Sequence, residues 1–189
     1  VSLNPNYRLY AWHSGEFRAT DNIAQLAAQM PFLSGNGANM WATQGYYFWT
    51  NEYDATQWNR HRYDIVVAKY IIEFKDETHL YDLVGNAVHI RHFLSLLDIL
   101  TQYFPKDAPR YTVHGVLAFL KDNPELWHDV FHGVAVKLGD KHTSRIPFVT
   151  SRREYFQAAE RHQICIFASC PKAIFPKWTL QSINTYERF

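Results

Sequence analysis

Gly45-Tyr46-Tyr47-Phe48-Trp49-Thr50 is the stretch on which the fold turns. Four aromatic residues in succession after a glycine favour an extended strand, where large side chains alternate between two faces. Only one of Tyr46 and Tyr47 can therefore face a given side, and Tyr47 is the residue expected to face a cleft. Thr50 or Asn51 then offers an N-cap for a helix carrying Ala55 and Trp58, the latter eleven residues after Tyr47. Upstream, Leu9-Tyr10-Ala11-Trp12-His13-Ser14-Gly15 repeats the form: an aromatic strand running into small and polar residues. Two such strand ends can place a histidine and several aromatic faces around one cleft. That lining suits a flat, polar heteroaromatic ligand better than a metal or a phosphate alone.

Working outward, residues 7–12 read as the first strand. Thr20 and Asp21 are N-cap types for a helix with Ile23, Leu26, Ala27 and Met30 at helical spacing, ended by Pro31. Ser34-Gly35-Asn36-Gly37 reads as a loop. Residues 65–74 form the clearest buried strand, with a shorter one near 80–84. Ile90, Phe93, Leu94, Leu97, Leu100 and Phe104 make an amphipathic helix, a second helix covers 112–121, and Asn123-Pro124 can open a third. This block, about residues 86–132, reads as a helical insertion between strands. Strands resume at 133–137, Ser151 caps an expected short helix within 150–161, residues 162–167 form another strand, and a last strand or extended tail covers 173–180. Strands and helices that segregate without regular alternation indicate one α+β domain over residues 1–189.

Composition narrows the function classes. The 189 residues are 47% hydrophobic and 20% charged, as expected of a globular domain. A formal net charge of +1, with Arg152-Arg153 the only basic doublet, gives no bulk basic face for a phosphate backbone. Arg145, Arg152, Arg153 and Arg161 read as a solvated helix face or a local patch. Cys165 and Cys170 have opposite parity along a strand and read as buried free thiols rather than a disulfide or zinc pair. His89, His92, His128 and His132 do not form a ligand motif, and no metal is expected. Phosphate-loop, dinucleotide-fingerprint and nucleophile-elbow patterns are absent. No apolar run reaches the roughly eighteen residues that a spanning helix needs, so no membrane partner is expected. The Val1 start suits a trimmed chain or one domain of a longer protein.

Trp12-His13-Ser14-Gly15, Gly45-Tyr46-Tyr47-Phe48, Trp58 and Gln163-Ile164-Cys165-Ile166-Phe167 fall in an order that resembles the ADP-ribosyltransferase fold. The similarity is to its His-Tyr-Glu branch, which includes the poly(ADP-ribose) polymerases and diphtheria toxin. The resemblance spans most of the chain in outline but rests on about twenty residues. It implies a split β-sheet core and NAD as the substrate that donates ADP-ribose. His13 would bond the adenosine-side ribose or otherwise orient the cofactor, the main chain at Ser14, next to Gly15, would hold the carboxamide, and Tyr47 and Trp58 would sandwich the nicotinamide ring. A pyridinium between two electron-rich faces gains cation–π attraction that the neutral leaving group loses. His13, Tyr47 and Gln163 are thus the expected catalytic residues.

Two departures matter. The branch's His-Gly is His13-Ser14 here, with the glycine moved to 15. Gln163 stands where the branch places its catalytic glutamate; an amide can hold a hydroxyl but supplies neither a base nor a negative field. Either Glu160 or Glu154 from the preceding segment moves in, or the reaction needs less help, or the domain binds NAD without transferring ADP-ribose. The resemblance implies a macromolecular acceptor, protein or nucleic acid. Residues 138–162, with Lys141, Arg145, Arg152, Arg153, Tyr155, Phe156 and Arg161, correspond in position to a target-recognition loop, and cations interleaved with aromatics can stack bases and pair phosphates. A bacterial toxin or effector with a cognate immunity or antitoxin protein, acting in the cytoplasm of its own or a target cell, completes the expectation. The contrasting expectation is a structural, partner-binding domain whose aromatics are core.

Overall fold

A computed structural model of the chain describes residues 7–18, 20–35, 41–103, 112–126, 130–139, 143–147, 155–159 and 161–189, giving only the backbone for 143–146 and 155–159. Among these residues the protein is α+β, with a seven-stranded mixed sheet and four α-helices. The strands are β1 (Tyr7–Phe17), β2 (Gly45–Trp49), β3 (Asp64–Phe74), β4 (Leu80–Asp82), β5 (Ala135–Gly139), β8 (His162–Phe167) and β9 (Lys177–Tyr186), in the order β4-β5-β8-β2-β1-β3-β9. A separate two-stranded sheet pairs β6 (Thr143–Pro147) with β7 (Tyr155–Ala159). The helices are α1 (Ile23–Gln29), α2 (Glu52–Gln57), α3 (Ala87–Tyr103) and α4 (Val113–Asp122).

Local chemistry accounts for several boundaries. The side chain of Asn22, rather than Thr20 or Asp21, accepts from Ala24 and Gln25 N–H and starts α1. Asn51 starts α2 by accepting from the Asp54 N–H at 2.9 Å while its amide donates to the Asp54 carboxylate at 2.6 Å. Asn59, just past α2, takes a left-handed φ of 51°, a conformation asparagine tolerates at a helix end. Of the expected third helix after Asn123, the part directly described is one 3₁₀ turn, Pro124–Leu126.

The helical insertion lies between β4 and β5, which are parallel (Leu80 opposite Ala135). Parallel neighbours need a long crossover, and α3 and α4 supply it. Leu96, Leu100, Val116, Leu117 and Leu120 bury against Tyr81, Phe131 and Val136. Tyr81 stacks on Phe131 with ring centroids 5.1 Å apart. The sheet also curls. Tyr46 of β2 meets Trp178 of β9 at 5.0 Å between centroids, although β1 and β3 lie between those strands in the sheet order. α2 covers a smaller cluster of Trp49, Ala55, Ile65 and Val67, against which Trp12 and Trp58 pack.

Two expectations are corrected. Where a short helix was expected within 150–161, the described part is strand β7, and Arg145 stands on strand β6, not on a helix face. The tail expected to end near Leu180 is a ten-residue edge strand reaching Tyr186. Cys165 and Cys170 are both buried and unbridged. Burial pushes their thiols up, to about 12 and about 11, so neither is a ready nucleophile. No helix among the described residues is long and apolar enough to cross a membrane.

Candidate functional site

β1 pairs with β3 along its full length but meets β2 at a single register pair, Trp12 opposite Trp49. Beyond that pair the two strands part, and residues 32–34 enter the gap. Leu33 bridges Tyr46, Ser34 N–H donates to the Gly45 carbonyl at 2.9 Å, and Gly45 N–H donates to Ser34 Oγ at 3.0 Å.

The imidazole of His13 spans the gap. Its Nδ1 lies 2.7 Å from the Tyr47 carbonyl, and Phe32 N–H donates to its Nε2 at 3.0 Å. A carbonyl only accepts and a backbone N–H only donates, so the neutral Nδ1–H tautomer satisfies both contacts. His13 is 6% exposed. Burial, only partly offset by the bond to Tyr47, lowers its pKa to about 4. Gly15, the displaced glycine, is buried beside the same wedge, and a β-carbon there would stand 2.6 Å from the Phe32 ring.

Where the strands part there is a cavity of about 1070 Å³. Its wall includes all six residues singled out from the sequence: His13, Ser14, Gly15, Tyr47, Trp58 and Gln163. Tyr47 rather than Tyr46 lines it, since Tyr46 packs against Phe175 and Trp178. The Tyr47 hydroxyl donates to the Thr43 carbonyl at 2.8 Å and accepts from Ala42 N–H at 3.2 Å, which fixes the ring. Burial raises its pKa, keeping the phenol neutral. Trp58 follows directly on the last turn of α2 and is half-buried. Gln163 stands on β8 opposite Trp49. The Ser14 hydroxyl is committed elsewhere, donating to the Ala55 carbonyl at 2.6 Å and tying β1 to α2.

Strand alternation gives the main chain of Ser14 a distinct position. Gly45 and Tyr47 turn their carbonyls toward the β1 side, so Trp49 does likewise and closes against Trp12. Two residues beyond Trp12, Ser14 therefore presents its N–H and C=O to the parted gap, where β2 offers no partner in register.

One expected contact is corrected. A bond from His13 to a ribose hydroxyl is not available in this arrangement, because both ring nitrogens are held by main chain. Histidine here is a strut between the two halves of the sheet. The sequence also did not single out Glu16, the only carboxylate lining the cavity among the described residues, nor Gln57, Asn59 and His61 from the turn after α2. Only the strand parity of Glu16 with Ser14 could have pointed to it. Arg161 lines the cavity with its guanidinium 5.4 Å from the centre of the Trp49 ring. It had been grouped with the target-recognition segment.

Glu154, Glu160, Lys141, Arg152, Arg153 and His128 lie outside the described residues, and for Arg145, Tyr155 and Phe156 only the backbone is described. Among the described residues no group of three or more histidine, cysteine or acidic side chains could hold a metal. His89 and His92 serve structure: His89 Nδ1 accepts from Asp82 N–H at 2.9 Å, and His92 bridges the Tyr81 hydroxyl at 2.8 Å and the Leu126 carbonyl at 3.0 Å. Comparison of the chain with protein-family models, curated proteins and solved structures finds no match.

Among the described residues the cavity offers aromatic faces, the Ser14 main chain beyond the single register pair of β1 with β2, neutral amides, a carboxylate and one cation over an aromatic plane. Its size falls at the upper end for small-molecule sites. Such a site can hold a long ligand with a flat ring, hydroxyls and a negative charge.

Proposed function

We propose that this cavity binds NAD and that the protein transfers ADP-ribose from it to a macromolecular acceptor, releasing nicotinamide, within an ADP-ribosyltransferase-like fold. The supporting observation is the convergence of His13, Ser14, Gly15, Tyr47, Trp58 and Gln163 on one cavity at the parting of β1 and β2. The nicotinamide ring stacks between Tyr47 and Trp58, and its carboxamide bonds the main chain of Ser14. In this reading Arg161, which lines the same cavity, meets the pyrophosphate.

In the transfer step the glycosidic C–N bond breaks and the ring nitrogen keeps the bonding pair, so nicotinamide departs neutral. The acceptor nucleophile forms the new bond to the ribose carbon and loses a proton. The state between is oxocarbenium-like, so positioning and a negative field matter most. Gln163 holds a ribose hydroxyl, and the proton lost by the acceptor passes to solvent. This reading assigns the protein to the toxin or effector class, with an immunity protein as its natural inhibitor. A protein acceptor is the default. Incubation with labelled NAD and cell extract tests the activity, since label lost to protease or to nuclease identifies the acceptor. No label in either fraction together with no nicotinamide release would sink the transferase reading.

Two variants probe the site. Trp58→Ala is expected to weaken NAD binding in calorimetry by about tenfold or more, through loss of one face of the stack. Unchanged affinity would remove nicotinamide from this wall. Gln163→Glu is expected to raise the rate of nicotinamide release by about tenfold or more, because a carboxylate adds the missing field beside the sugar. A fall in rate would show that the amide itself is required. The neutral Gln163 also favours a second reading, an NAD- or ADP-ribose-binding module without transfer. That reading predicts Trp58-dependent binding with no turnover in the unsubstituted protein.

A further inference from the structure

A second cavity, about 490 Å³, shares no lining residue with the first. It lies between the turn after β3, helix α4 and the loop after β8. Its polar lining joins Lys75, Lys121, His79 and His132 with the hydroxyl residues Thr43 and Ser169, and Asp76 is the only carboxylate among the described residues.

Asp76 is already occupied. One of its oxygens accepts from Thr78 N–H at 3.0 Å, from the Thr78 hydroxyl and from His79 Nδ1 at 2.9 Å. Those hydrogen bonds and the charge interaction with His79 outweigh burial and lower its pKa, so it stays ionised. The bond puts a hydrogen on His79 Nδ1, facing Asp76, and only 4% of that side chain is exposed. Nε2 is left as the ring nitrogen with no partner among the described residues, on the wall of a cavity that His79 lines. The His132 ring stands beside it, with centroids 5.2 Å apart, and His132 N–H donates to the Thr78 carbonyl at 3.1 Å. Neither lysine forms an ion pair with a described residue. The rest of the wall is apolar and includes Leu117, Phe167 and Ile174.

We propose that this cavity is a binding site for a small organic anion, one phosphate or carboxylate group on a flat apolar body. Lys75 and Lys121 hold the charge at the mouth, and His79, oriented at Nδ1 by Asp76, donates to the anion from Nε2 when its ring carries both protons. A carboxylate-held histidine and two exposed lysines without an ion pair to a described residue share one partly apolar cavity, a donor set that suits an anion. The apolar wall takes the body of the ligand.

Calorimetry with phenyl phosphate, benzoate and phenol tests this, with the Lys75→Ala/Lys121→Ala double variant and Trp58→Ala as the two comparisons. Binding of phenyl phosphate or benzoate, weakened about tenfold or more by the double variant and unchanged by Trp58→Ala, is the expected result. Which of the two binds more tightly distinguishes a phosphate from a carboxylate ligand. Binding of neither anion, equal binding of phenol, or loss of binding only in Trp58→Ala would each overturn the proposal. Both lysines are exposed, so the double variant tests the charge without disturbing the core. The outcome is independent of NAD binding in the first cavity.

Discussion

His13→Ala is expected to cost about 3–5 kcal/mol in chemical denaturation, one of the largest effects of any single substitution in the chain. The change removes two hydrogen bonds at once and leaves the Tyr47 carbonyl and the Phe32 N–H facing a void. It also takes away a ring packed at 5.5 Å from Phe32 and 5.8 Å from Phe48. A loss below about 1 kcal/mol would show that the parted strands hold their spacing without the imidazole.

The same residue carries a pH signature. Its folded pKa, about 4, lies below the ordinary 6.5 because burial disfavours the cation. Between those values the unfolded chain binds more protons than the folded one, so stability rises with pH across that window. The contribution is complete above pH 6.5 and is lost as pH falls toward 4. Its full size is about 3 kcal/mol. Denaturation curves from pH 7 to 4 on the protein and on His13→Gln should converge as pH falls, because glutamine does not titrate. Parallel curves would mean that His13 is not held neutral.

The second large effect is expected at Gly45. A β-carbon there would fall on the Ile166 carbonyl oxygen, well inside contact, and 2.7 Å from Cys165 Sγ. The carbonyl belongs to the neighbouring strand, so no rotamer change relieves it. Gly45→Ala should therefore destabilise by about 3 kcal/mol, although alanine in a strand is otherwise better than glycine. Thermal unfolding measures this, and a neutral or stabilising change would mean that β2 and β8 separate at little cost. Because Tyr47 stands two residues further along β2, the variant should also weaken binding in the large cavity.

Legibility in the sequence followed how local each signal was. Gly45–Trp49 and His162–Phe167 were readable as strands because aromatic or aliphatic runs and their end signals lie within a few residues. Asn51 was among the two cap residues considered for the same reason. Strand β7 was not readable. Arg153, Glu154 and Gln157 beside Ser151 look like a capped polar helix, and only pairing with Thr143–Pro147 makes the segment a strand. The length of β9 was hidden because Gln181, Ser182, Asn184 and Thr185 give no alternation, its order coming from β3 alongside. In the site, residue types that line a cleft could be named from the sequence, but their bonding could not. The partner of His13 Nε2 is a main-chain N–H, which leaves no trace in residue identity. The Asp76–His79 pair likewise acquires its surroundings only from α4 and the segments at 132–133 and 167–174.

The strand order also governs when this molecule can come together. β2 and β8 are joined across residues such as Thr50 and His162, 112 positions apart, and the end of β9 is fastened where Arg188 N–H donates to Asp64 across 124. Before those strands exist, β1 and β3 have each other, helix α2 and a single register pair with β2. Closing such long loops is entropically slow, so the protein belongs with domains that assemble late and slowly. During synthesis the ring of Tyr46 must wait for Phe175 and Trp178, more than a hundred residues later.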